Sequence, residues 1–231
     1  MQNIRTSAED RTHEYSQLKQ ESVFELQDVS YGYGAADVLR RVQLHIPAHR
    51  TILITGPNGS GKTTLLKLLA GVLAPCRGTI RRYIQPGEMA SLGHETYIYP
   101  GLTVAENVRF WLRLHHKTST EAYVEQILHR VGLKAMLYEP AAHLSRGMAQ
   151  RLSLARVVSL GPTVLLLDEP TAGLDSASQA MMRHEVSRVR ERGATVLWIT
   201  HAPEAEMQMA DSILQVSGGN VHMDMCAGKY M

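Results

Sequence analysis

Gly56-Pro57-Asn58-Gly59-Ser60-Gly61-Lys62-Thr63 lies between two segments of different periodicity. Thr51 to Thr55 reads as a short strand and Lys62 to Ala70 as a helix, so the order is strand, glycine loop, helix. The glycines let successive backbone N–H groups turn inward as a nest for an anion. The helix that follows adds the positive end of its dipole. At this spacing Lys62 is expected to reach the β- and γ-phosphates of a nucleotide and Thr63 to place its hydroxyl on Mg2+. Residues 56–63, with the adjoining Thr64, are the candidate nucleotide-phosphate site.

Upstream of the loop, Val23 to Val29 and Val42 to Ile46 alternate as strands do, giving a strand-rich opening. Downstream, Thr79 to Tyr83 and Ala90 to Leu92 read as further short strands. From Thr103 to Val131 the apolar positions recur with helical spacing, predicting a separate helical lobe over about 95–157. Met148 to Leu160 and Ser176 to Arg192 read as helices. Thr195 to Thr200 and Ile213 to Val216 read as strands. Val164 to Leu167 is a continuous apolar run, as expected of a central parallel strand covered on both faces. Strands alternating with helices predict an α/β fold, a parallel sheet with helices on both sides.

Asp168-Glu169 ends the apolar run at Val164. Next to bound phosphates, Asp168 would hold Mg2+ and Glu169 would polarise a water as general base. By itself, an acidic pair after a strand is equally a helix cap or a solvated turn.

The 231 residues are long enough to bury a substantial core, and the formal net charge is only +2. With Lys and Arg spread along the chain, a dedicated nucleic-acid binder is not expected. Two cysteines, Cys76 and Cys226, make neither a disulfide framework nor a zinc spacing, which points to a reducing compartment. No apolar run is long enough to span a bilayer. Residues 1–21 are polar, carry no secretory signal, and read as a loosely packed tail. His222-Met223-Asp224-Met225-Cys226 has soft-ligand types but no spacing template, so 223–231 reads as a second tail and 22–222 as the domain.

Three further segments accompany the glycine loop: Leu144-Ser145-Arg146-Gly147-Met148, Val164-Leu165-Leu166-Leu167-Asp168-Glu169-Pro170 and Ile199-Thr200-His201. In this order the four resemble the ATP-binding subunit of ABC transporters, over about Phe24 to Val221. The resemblance implies a P-loop ATPase of the ABC type, with a mostly parallel core, an antiparallel β subdomain and a helical subdomain. It implies ATP and Mg2+ as ligands, and a homodimer or ABC heterodimer working with integral-membrane subunits at the cytoplasmic face of the cell's inner membrane. The helical lobe and the segment around His94 to Pro100 would touch those subunits.

The same resemblance assigns roles residue by residue. Ser145 and Gly147 would contact the γ-phosphate held by the opposite subunit, although Arg146 and Met148 depart from the usual Leu-Ser-Gly-Gly-Gln. His201 would touch the γ-phosphate and orient the attacking water; by itself, a histidine at a strand end is also read as structural. Asp175 would lie in the loop between the two sites, and it is equally the N-cap of the next helix. Tyr33 would stack on adenine, though Tyr31 is a neighbour of the same kind and either also suits a core.

His94 stands where most ABC subunits carry a glutamine near Mg2+ and water. With Gly93-His94, Leu102-Thr103, Glu106-Asn107 and Phe110, the segment resembles the ATPase subunits of the haem exporters of cytochrome c maturation. Leu-Ser-Arg-Gly-Met is instead common among drug and polysaccharide exporter ATPases. A soluble ABC ATPase serving iron–sulfur assembly is the alternative class. A GTPase would need an Asn-Lys-x-Asp guanine reader, which the chain lacks.

Overall fold

The computed structural model describes residues 21–226, apart from 35, 86 and 94. The polar segment 1–20 and the last residues, 227–231, lie outside the described residues. The strand ahead of the glycine loop is β3 (Thr51–Thr55) and the helix after it is α1 (Lys62–Leu69). Around β3 stand β5 (Met89–Leu92), β6 (Val164–Asp168), β7 (Thr195–Ile199), β8 (Ser212–Ser217) and β9 (Asn220–Met225), in the order β5-β6-β7-β3-β8-β9. All neighbours pair in parallel except β8 and β9, which pair antiparallel.

Alternate residues of one strand enter opposite cores. Leu165 and Leu167 join a cluster with Trp198, Met182 and Val186; Leu166 joins another with Ile52, Ile54 and Leu65. That is why the strand reads as an unbroken apolar run. The second cluster is closed by an antiparallel sheet of β1 (Ser22–Tyr33), β2 (Ala36–Pro47) and β4 (Arg77–Arg82), in the order β2-β1-β4. The first is closed by α4 (Arg146–Ser159), α5 (Ser176–Glu191) and the helices α2 (Val104–Leu114) and α3 (Glu121–Arg130). A short α6 (Pro203–Glu206) follows β7.

The C-terminal boundary corrects the sequence reading. Residues 223–225 are not tail but the second half of β9, with Met223 opposite Leu214 and Met225 opposite Ser212. The turn is Gly218-Gly219, with φ of 56° and 84°. Two consecutive positive φ values match the twist of a two-residue hairpin, and glycine reaches them without a Cβ clash. Cys226 extends the pairing, its N–H donating to Asp211 O at 3.0 Å.

In the helical lobe, α2 starts from a capping box. Thr103 Oγ1 accepts from Glu106 N, and Glu106 Oε2 accepts from Thr103 N at 2.8 Å. One turn on, buried Asn107 fastens the preceding loop: its Oδ1 accepts from Tyr99 N (2.8 Å), and its Nδ2 donates to the carbonyls of Tyr99 and Thr103 (3.0 Å each). Asn107→Ala strands these backbone groups and is expected to cost about 1–3 kcal/mol. A urea midpoint unchanged by the substitution would contradict that role.

Candidate functional site: a phosphate cleft with a carboxylate–imidazole pair

The glycine loop forms the floor of a cleft of about 530 Å³, lined by Tyr33, Val38, residues 58–64, Glu169 and His201. The volume lies in the range of small-molecule sites. At the base, Gly56 has φ 145°, and a Cβ there would lie 2.1 Å from Val216 O, so only glycine lets β8 approach. Lys62 is buried; its Nζ donates to Gly56 O at 2.8 Å and Pro57 O at 3.0 Å, holding the loop curled around the amine. Ser60 Oγ is buried with no hydrogen-bond partner among the described residues.

Asp168 closes β6 and is 7% exposed, and its Oδ1 is also buried without a partner. It shares a smaller cleft, about 140 Å³, with Thr63. A buried carboxylate oxygen with no donor, beside a threonine hydroxyl, is the oxygen donor set that suits Mg2+. Thr63 and Asp168 therefore fit the ion.

Glu169, the next residue, leaves the strand with φ 51°, outside the region normal for L residues, at a cost of ~1–2 kcal/mol. Its N–H donates to Ile199 O at 3.1 Å, which ties the strained residue to the end of β7. The turn aims its carboxylate at His201, with Nε2 and Oε1 2.6 Å apart. Both side chains face the cleft and remain partly open to water.

Behind His201, Thr200 Oγ1 donates to the buried Glu206 at 3.0 Å and accepts from Ala202 N at 3.0 Å. Arg183 of α5 pairs with the same glutamate at 3.5 Å. This clamp on the His201 turn went unread in the sequence. Its members are separated along the chain and fit no spacing pattern.

Other candidates fall elsewhere. Tyr33 is on the cleft wall, 54% exposed, edge-on to Tyr31 with centroids 5.1 Å apart. Ser145 and Gly147 do not join the cleft. Ser145 is the exposed N-cap of α4, accepting from Met148 N at 3.3 Å, and a Cβ on Gly147 would sit 3.7 Å from Leu174. His94 lies outside the described residues. Thr103, Glu106 and Asn107, which entered the haem-exporter pattern, have the capping and fastening roles given above.

Asp175 caps α5: its Oδ1 accepts from Ser178 N at 2.7 Å. That backbone bond, with the Ser178 side chain second, holds its carboxyl below the usual value. A depressed folded value means the stabilisation is present above the unfolded pKa, near 4, and lost as pH falls through the folded value. Asp175→Asn keeps a good cap but removes the charge change. The variant is expected to lose less stability than the parent as pH falls below about 4, read from thermal midpoints. An unchanged acid slope would exclude Asp175 from it.

Residues 39–172, from β2 past the Asp168-Glu169 pair, match the ABC transporter family. The chain belongs to that family. This ABC chain is 33% identical to the maltose/maltodextrin import ATP-binding protein MalK of Photorhabdus laumondii over 85% of its own length and 56% of that protein's. It spans little more than half the length of that relative. It is 36% identical to the cytochrome c biogenesis ATP-binding export protein CcmA of Gluconobacter oxydans, over 78% of this chain and 82% of that one. A solved ATP-binding subunit of an ABC transporter superposes with a TM-score of 0.78 at 27% identity, covering 88% of this ABC chain and 90% of its own. Among the described residues no helix is long and apolar enough to cross a membrane.

Proposed function

We propose that the chain is the ATP-hydrolysing motor of an ABC transporter complex, closing as a dimer on ATP and driving integral-membrane subunits. The observation that carries this is the meeting of the phosphate loop, Glu169 and His201 in one cleft. The loop amides and Lys62 hold the β- and γ-phosphates, and Tyr33 lies against the adenine. Thr63 and Asp168 hold Mg2+, which offsets charge on the phosphate oxygens.

Glu169 takes the proton of a water that attacks the γ-phosphorus; the bond to the β-phosphate oxygen breaks, giving ADP and inorganic phosphate. His201 holds that carboxylate in place and presents its imidazole to the γ-phosphate. Ser145, exposed, and Gly147, half-buried, both outside their own chain's cleft, contact the γ-phosphate bound by the second copy, and Asp175 lies at the junction of the two sites. Closure then follows from the higher affinity of the closed pair for ATP.

For the cargo, the reading is haem export for cytochrome c biogenesis, with the chain at the cytoplasmic face of the membrane. It is supported by the likeness to the CcmA protein across most of its length and by Gly93-His94. The test is affinity purification of the Glu169→Gln variant from its native cells with ATP and mild detergent. Multi-span membrane partners with a haem spectrum are expected. The same partners without haem would move the cargo elsewhere, and purely soluble partners would sink the motor reading.

A further inference from the structure

Behind the cleft, Glu206 is a buried carboxylate, 1% exposed, with no part in the chemistry above. Its place is at odds with local preference. It is the last residue of α6, a single turn too short to stand by itself, and a negative charge is unfavourable at a helix C-terminus. Burying a carboxylate is also costly unless it is well paired. The pairing here is modest, one nitrogen of the partly exposed Arg183 at 3.5 Å from Oε1. Such a pair is a weak source of stability. What it does fix is a turn.

Glu206 Oε2 accepts from Thr200 Oγ1 at 3.0 Å, and the same hydroxyl accepts from Ala202 N at 3.0 Å. Thr200 N donates in turn to Ile54 O of β3, at 3.3 Å. The residue before His201 and the residue after it are therefore both held. The imidazole has no such support of its own. Its side chain is 46% exposed, and Glu169 is its one hydrogen-bond partner among the described residues. Two side-chain torsions separate the ring from the backbone, so the turn from Thr200 to Ala202 limits where Nε2 can point. Displacing a reacting group by about 1 Å can cost about 100-fold in rate. Arg183 belongs to α5, the helix that Asp175 caps, so one carboxylate joins the His201 turn to that helix.

We propose that Glu206 is a positioning residue for hydrolysis: through Thr200 it holds the His201 imidazole on Glu169, and through Arg183 it fixes that turn to α5. Its effect on hydrolysis rests on the motor reading above; the holding of the ring rests on these contacts alone.

The first arm takes the full chain labelled with 15N-histidine and follows the His201 ring nitrogens, identified with His201→Gln. Glu206→Leu keeps the bulk and removes the acceptor. Thr200→Val cuts the same tie from its other end without a change of shape, so the arm does not hang on one variant folding. Each is expected to move the Nε2 resonance away from its carboxylate-bonded position, and Arg183→Met to move it by less. Glu206→Gln, whose amide oxygen still accepts from Thr200, is expected to leave it near the parent's. A resonance unmoved by Glu206→Leu and Thr200→Val overturns the proposal; one unmoved by Arg183→Met overturns the tie to α5. The second arm is a double-mutant cycle on ATP hydrolysis. Glu206→Leu is expected to lower kcat about 10–100-fold with the KM for ATP within about twofold of the parent's. In a His201→Ala background the same substitution is expected to add nothing. An equal loss in that background would show that Glu206 acts on the fold at large, which overturns the positioning role. Failure of the motor reading looks different: His201→Ala leaves hydrolysis unchanged, or there is none to lose, while the Nε2 resonance still decides whether Glu206 holds the ring.

Discussion

Glu169→Gln is expected to slow ATP hydrolysis by about 10²–10⁴-fold, the range for loss of a positioned general base. The glutamine amide keeps the shape of the carboxylate and still accepts the His201 N–H, 2.6 Å away in the parent. What it loses is the ability to take a proton from water. The left-handed backbone at 169 is unchanged by the substitution, so folding stability is expected to stay within about 0.5 kcal/mol of the parent. Single-turnover hydrolysis with a parallel ATP-binding measurement separates the two effects. A variant that binds ATP and hydrolyses it at the parent rate would remove Glu169 from the chemistry. One that no longer binds would show that its role is in shaping the cleft.

Trp198→Ala is expected to give the largest loss of stability, about 3–5 kcal/mol. Trp198 is fully buried in β7, between β6 and β3, opposite Leu167 on one side and Leu53 on the other. It shares its cluster with Met182 and Val186 of α5, so truncation opens a cavity where sheet and helix meet. Its indole N–H has no partner among the described residues. Trp198→Phe removes that unpaired donor as it shrinks the ring, so it is expected to cost much less than alanine. Chemical denaturation of both variants checks the order, and equal losses would show that ring volume is not what holds this layer together.

The central strands were legible because burial on both faces writes itself as unbroken apolar runs, as at Val164 to Leu167. The hairpin to β9 was also written, as Gly218-Gly219 between segments with apolar residues at alternate positions, but soft-ligand residues at its end drew the reading towards a tail. The split into two sheets was not legible. That β4 pairs with β1 rather than with the strands beside β3 is a long-range choice that local periodicity does not encode. At the site, the glycine loop declared itself through local spacing, whereas Glu169 and His201, 32 positions apart, became a pair only through the family resemblance. Neither the strain at Glu169 nor the clamp of Thr200, Glu206 and Arg183 left a sequence signal. Arg156, which α4 buries, did leave one: a lone cation inside Leu152-Ser153-Leu154-Ala155-Arg156-Val157-Val158 is out of keeping with a buried helix face.

Helix α4 carries Ser145 as its N-cap and Arg156 near its other end, about 16 Å further along at 1.5 Å per residue. Its second half is buried, from Leu152 to Ser159, and in its first half Gln150 Nε2 reaches Pro170 O, next to Glu169, at 3.4 Å. On the motor reading proposed above, the two ends of such a hydrogen-bonded rod are expected to move together. Thermodynamic reciprocity then holds between the two ends. By whatever factor a displacement of the Arg156 end favours the nucleotide-closed pair, closure on nucleotide must favour that displacement.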